Sequence, residues 1–183
     1  MQENLTATLD LIIRWEGSDV NRSAREPGGI SKYGISLTAY SDYCKKFKLA
    51  VPTTEDVANL TEDFARNFYG QHWLPQIRFN DLPKGLDIRM GDISVNSGIG
   101  GATRLLQVAF LQFPLLNNIS DDLIKTINKY TPSEAIHMLS AAWIGYKLAS
   151  PSWLDIGDGT HRGAGHGWSN RNIDVTTQAL KGI

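Results

Sequence analysis

The apolar positions fall into short runs with helical spacing, separated by glycine, proline and polar clusters. Leu5, Leu9, Ile12 and Ile13 stand at offsets of four, seven and eight, which predicts a helix over residues 5–15 with Asn4 or Thr6 as its cap and Glu16-Gly17 as its end. Residues 18–35 carry glycine, serine, asparagine and charge instead. Pro27-Gly28-Gly29 is a turn signal and Tyr33-Gly34-Ile35 suits a short strand, so a loop or small hairpin is expected there. Ser36 is placed to cap a helix running to about residue 47, Pro52-Thr53-Thr54 opens a segment holding Val57 and Leu60, and Thr61 caps a helix bearing Phe64, Phe68 and Tyr69.

Beyond Pro83, residues 85–95 and 102–110 read as two helices joined at Asn96-Ser97-Gly98-Ile99-Gly100-Gly101. Pro114 and Asn117-Asn118 make a turn and Ser120 caps a short helix. Pro132-Ser133-Glu134 opens a longer one whose Ile136, Leu139, Ala142, Trp143 and Tyr146 form an apolar stripe. Residues 151–167 hold five glycines among polar residues, and Trp168-Ser169-Asn170-Arg171-Asn172 begins the last predicted helix. The expected fold is mostly α, a helical bundle with a small β element near residues 20–35, without an internal repeat or a low-complexity tract.

Composition narrows the function more than the fold. With 42% hydrophobic and 20% charged residues over 183 positions, the chain suits a single compact domain over residues 1–183, residues from about 100 onward forming its C-terminal helical part. A net charge of -1 offers no overall positive field for nucleic acid, which is not expected as a partner. Cys44 is the only cysteine, so neither an internal disulfide nor a multi-cysteine zinc cluster forms, in keeping with a reducing cytoplasm. No window approaches the roughly 18 apolar residues of a membrane span, and Met1-Gln2-Glu3-Asn4 lacks the basic flank and apolar stretch of a signal peptide, so no membrane insertion is expected. A monomer is expected.

The segment richest in candidate chemistry is Trp15-Glu16-Gly17 with the turn that follows. A helix C-terminus carries partial negative charge and Trp15 reduces hydration, both of which favour the protonated form of a carboxyl group at Glu16. Cleavage of a glycosidic bond needs such a proton donor for the departing oxygen; the plainer reading is a solvated glutamate at a helix end. Gly28-Gly29 permits positive φ and close approach of a sugar to the backbone. Of the five tryptophans (Trp15, Trp73, Trp143, Trp153 and Trp168), most are expected in the core, although sugars are often held on aromatic faces. His161 and His166 lie in a glycine-rich stretch, but a catalytic zinc needs three protein ligands, and neither a metal nor a cofactor is expected. Lys45-Lys46 and Lys48 read as a solvated face.

Residues 14–36, together with Gly91-Asp92-Ile93-Ser94-Val95-Asn96-Ser97-Gly98, resemble glycoside hydrolase family 108, phage endolysins and related bacterial proteins regarded as N-acetylmuramidases. The family pattern of E-G-G-Y-V-N-D-P and D-P-G-G-x-T-K-Y-G-I-S stands here as Glu16-Gly17-Ser18-Asp19-Val20-Asn21 and Glu26-Pro27-Gly28-Gly29-Ile30-Ser31-Lys32-Tyr33-Gly34-Ile35-Ser36. Trp73-Leu74-Pro75 and Gly167-Trp168-Ser169-Asn170-Arg171 are similar to its later W-x-P and G-W-x-N-R, so the resemblance spans most of the chain. The chain departs from the pattern at Ser18, Asp19 and Glu26 and by one extra loop residue.

The resemblance implies a lysozyme-like α+β fold in which the small hairpin forms one wall of a cleft, and it places the catalytic glutamate on Glu16. It further implies Glu26 and Ser31 as the acid and hydroxyl that hold water or stabilise the transition state; the plainer reading of Glu26 is an ion pair with Arg25 or Lys32. In an inverting enzyme the two carboxyl groups stand roughly 6.5–9.5 Å apart, in a retaining one about 5–5.5 Å. Gly29, Tyr33, Asp92, Asn96 and Ser97 are expected to contact substrate, the last three from the opposite wall, although Asn96-Ser97-Gly98 also reads as a helix ending. The function implied is hydrolysis of the β-1,4 bond between N-acetylmuramic acid and N-acetylglucosamine in peptidoglycan, by an endolysin that waits in the host bacterial cytoplasm until a holin opens the way to the wall. The rivals are a lytic transglycosylase giving 1,6-anhydro ends, a non-catalytic cell-wall-binding module, and a zinc amidase. Gly101-Ala102-Thr103-Arg104-Leu105-Leu106-Gln107 resembles the start of a peptidoglycan-binding helical region found in some family members.

Overall fold

The computed structural model describes residues 3–22, 28–149 and 164–183. Among them the chain is mostly helical, with one two-stranded antiparallel sheet, as the apolar spacing predicts. It divides into two compact units, one of Leu9–Leu74 and one of Met1–Thr8 with Pro75–Ile183. Among the described residues no helix is long and apolar enough to cross a membrane.

Helix α1 (Glu3–Glu16) ends where expected, Gly17 taking a left-handed φ of 69° as its amide donates back to the Ile13 carbonyl. Its start differs from the expectation. Asn4 lies inside the helix, buried, and its amide donates to both oxygens of Asp87 at 3.1 and 3.2 Å instead of capping. The buried stripe accordingly includes the polar Asn4 and Thr8, the Thr8 hydroxyl being satisfied by the Asn4 carbonyl.

In the unit Leu9–Leu74, β1 (Ser31–Lys32) and β2 (Ile35–Ser36) pair antiparallel, and Asn21 adds a bridge on the far side of Ser31. Tyr33 and Gly34 both have positive φ, 52° and 74°, the combination that a two-residue hairpin loop needs to match strand twist. The Ser36 hydroxyl then caps α2 (Leu37–Lys46) by accepting from the Ala39 amide, and Thr53 closes a capping box on α3 (Thr54–Ala58). Thr61 caps α4 (Glu62–Asn67), which runs on as a π-helical turn, Phe68–Trp73. The wider π turn was not expected from the spacing. It buries Phe68, Tyr69 and His72 together.

The other unit is built on α5 (Leu86–Ala109), α7 (Pro132–Leu148) and α8 (Ala164–Lys181), which pack against one another, with the short α6 (Asp121–Ile127) between the first two in sequence. The glycine joint expected in α5 is present: Gly98 has φ 70° and ψ 165°, outside helical geometry. Thr131 and Glu134 form the capping box of α7. Helix α8 starts at Ala164, earlier than the expected Trp168. The predicted loop over residues 151–167 falls mostly outside the described residues.

Candidate active site

Glu16 is the last residue of α1 and is half-buried, so its side chain is anchored at a helix end. What it lies against is the hairpin loop. A Cβ on Gly34 would stand 2.7 Å from Glu16 Cγ and 2.8 Å from Glu16 Oε2, and the same point is 2.8 Å from the Tyr69 hydroxyl oxygen. Only a residue without a side chain permits this approach, and the positive φ of Gly34 makes the same demand independently.

Tyr69 fixes the loop. It is 1% exposed, and its hydroxyl donates to the Tyr33 carbonyl at 2.8 Å, holding a non-glycine residue in the left-handed region. Lys32 clamps the other side of the loop by donating to the Ala58 carbonyl at the end of α3, 3.0 Å away, and its ammonium sits 5.5 Å from the Tyr33 ring centroid. Tyr69 was legible in the sequence only as a helix aromatic; the hydroxyl, in a run otherwise filled by phenylalanine and tryptophan, was the available signal.

The remaining expected residues divide. Ser31 lies in β1, half-buried, its backbone paired with Asn21 on one side and with β2 on the other. Gly29 is exposed with φ 76°, and Gly28 abuts Ser36 so closely that a Cβ would meet its Cβ and Oγ at 2.6 Å. Tyr33 is a core residue, 9% exposed. Glu26 lies outside the described residues. Asp92, Asn96 and Ser97 belong to the other unit, on α5. Asp92 is 1% exposed, with one oxygen 2.9 Å from Arg89 Nη1 and the other 2.6 Å from Arg171 Nε. Arg89 also donates to Ser140 and to Asn172, and burial pushes its guanidinium down to about 10 although Asp92 opposes the shift. Asn96 donates to the Asp92 carbonyl, and the Ser97 hydroxyl is buried without a hydrogen-bond partner. Among the described residues no three His, Cys, Asp or Glu side chains are grouped to hold a metal ion; His161 and the His166 side chain lie outside them.

Glu16 thus stands half-buried at a helix end, packed on a glycine turn that Tyr69 and Lys32 immobilise. Residues 9–98, which contain the second half of α1, the hairpin and the first part of α5, match the family model described as Glycosyl hydrolase 108, and this match supports a glycoside hydrolase. This bears out the resemblance read from residues 14–36 and 91–98, and with it peptidoglycan as the substrate class. No curated protein matches in sequence. Among solved structures the fold is similar to that titled Structure of Brucella abortus SagA, with a TM-score of 0.83 at 20% identity over 100% of this chain and 97% of that one.

Proposed function

We propose that the protein hydrolyses the β-1,4 bond between N-acetylmuramic acid and N-acetylglucosamine, with Glu16 as general acid, and serves a phage as its endolysin. The observation that carries this reading is the contact of the Glu16 carboxylate with the Gly34 turn, inside the segment that matches the glycosyl hydrolase family. Glu16 donates its proton to the departing sugar oxygen as the glycosidic bond breaks, leaving an oxocarbenium-like sugar. Ser31, on the strand next to the turn, orients the attacking water, and Glu26 takes up its proton. The exposed backbone at Gly29 gives the sugar a surface to lie on. Asp92 braces α5 through its two arginine partners. The enzyme works as a monomer without a cofactor, and waits in the host cytoplasm for a holin to give it access to the wall.

The test compares wild type with Glu16→Gln on purified Gram-negative peptidoglycan, with mass analysis of the fragments. Clearing is expected to fall about 10²–10⁴-fold in a variant that melts like wild type, as loss of a general acid does. Reducing muramic acid ends from wild type support hydrolysis. Anhydro ends would replace it with transglycosylation, and undiminished clearing by the variant would remove Glu16 from the chemistry.

A further inference from the structure

Helices α7 and α8 hold a cation, Lys147, that has no acceptor among the described residues. Lys147 is 7% exposed, and its Nζ lies 4.0 Å from the ring centroid of Trp168, 5.4 Å from that of Trp143 and 5.8 Å from that of Tyr146. Aromatic faces attract an ammonium but offer no oxygen to its three N–H donors. The carboxylate facing Lys147 among the described residues is Asp92, and Arg89 and Arg171 already occupy its two oxygens. Burial, followed by repulsion from Arg171, holds the Lys147 ammonium below the ordinary lysine range, as expected of a cation still short of a counter-charge. A second donor is stranded on the same ring system: Trp143 Nε1 is buried with no hydrogen-bond partner. Arg89 lies 5.0 Å from that ring as well. Buried polar groups are nearly always satisfied, so two unmet donors beside concentrated positive charge describe a place made for an anion.

We propose that Lys147 and the Trp143 indole N–H, flanked by Arg171, form a binding site for an oxyanion, a carboxylate or phosphate group. The ammonium supplies a charge-assisted hydrogen bond and the indole a neutral one, with the Trp168 ring against the ammonium. None of these residues takes part in bond cleavage by Glu16. One source of the anion is the lactyl carboxylate of N-acetylmuramic acid, which rests on the function proposed above; the other is free inorganic phosphate.

The probes are N-acetylmuramic acid, inorganic phosphate and, as the neutral control, N-acetylglucosamine. Each is titrated into the full chain while tryptophan fluorescence and Tm are followed. Wild type is expected to show a saturable change and a rise in Tm with at least one of the two anions and none with N-acetylglucosamine. Lys147→Met is expected to weaken the apparent Kd at least tenfold, and Trp143→Phe, which keeps every charge, several-fold. Saturation by N-acetylmuramic acid alone identifies the wall as the source, by phosphate alone the free ion. Equal affinities in wild type and both variants, or no saturation of wild type by either anion, overturns the site. If Lys147→Met does not fold, Trp143→Phe decides by the same criterion. Binding is read without turnover, so its failure leaves the Glu16 assignment standing, and loss of that assignment leaves the anion site standing.

Discussion

At the scale of single residues, the packing around Glu16 depends on where a side chain is missing. Gly34 and Gly17 both have positive φ, 74° and 69°, yet their surroundings differ: a Cβ on Gly34 would run into Glu16 and Tyr69, whereas at Gly17 it would meet nothing within 4 Å. Gly17→Ala is therefore expected to cost only the backbone strain, about 1 kcal/mol, with most activity kept. Gly34→Ala adds displacement of the Glu16 carboxylate to a strain of roughly 1–3 kcal/mol, and its turnover on peptidoglycan is expected to drop more than tenfold. Urea unfolding and a clearing assay on the two variants separate stability from positioning. Comparable activity in both would mean that the close packing of Gly34 on Glu16 does not set the catalytic geometry. The helix-end position of Glu16 was readable from the sequence, because apolar spacing and a following glycine mark a helix end without reference to anything else. Tyr69 was not, since the Tyr33 carbonyl it binds lies 36 residues away.

At the scale of elements, caps were the most legible feature. Ser36, Thr61 and Ser120, expected as caps, each accept a hydrogen bond from a backbone amide in the first turn of the helix they precede, a local interaction that short sequence windows encode; Thr53 and Thr131 do the same where the sequence pointed only to a helix start. The π turn after α4 is the opposite case. It brings His72 among Tyr43, Phe47 and Phe68, with ring centroids 5.1, 5.8 and 5.3 Å away, and places Lys46 Nζ 3.5 Å from its Nδ1. Burial and then the Lys46 charge hold the imidazole below its ordinary value, with Asp42 opposing. The unfolded chain consequently takes up a proton before the folded one as pH falls through about 6.5, and stability is lost from there down to the depressed folded value. The urea midpoint should fall between pH 7.5 and 5.5 in wild type and fall less in His72→Phe. An identical slope in the two proteins would show that His72 does not carry the effect.

At the scale of the whole molecule, buried charge organises the larger unit. Asp92 links α5 to α8 through Arg171, while Arg89 continues the network to Ser140 on α7. Asp92→Asn keeps the shape but leaves two buried guanidinium groups without their carboxylate, and a loss of about 3–5 kcal/mol is expected in chemical unfolding. A loss below about 1 kcal/mol would mean that water or rearrangement compensates the arginines. From the sequence, Asp92 looked like a substrate contact because it sits in the motif around Asn96-Ser97-Gly98; the chain alone does not say which face of α5 is covered. The sequence by itself determined most helical segments, several of their caps, the glycine-dependent turn and joint, and the place of Glu16 at a helix end, since these follow from periodicity and backbone preference over a few residues. Tertiary structure alone decided that Tyr69 pins the loop, that Asn4 and Asp92 are satisfied inside the fold, and that Lys147 has no acceptor among the described residues. Those outcomes depend on which distant groups arrive at the same place, and a local pattern carries a residue's periodicity but not its partner.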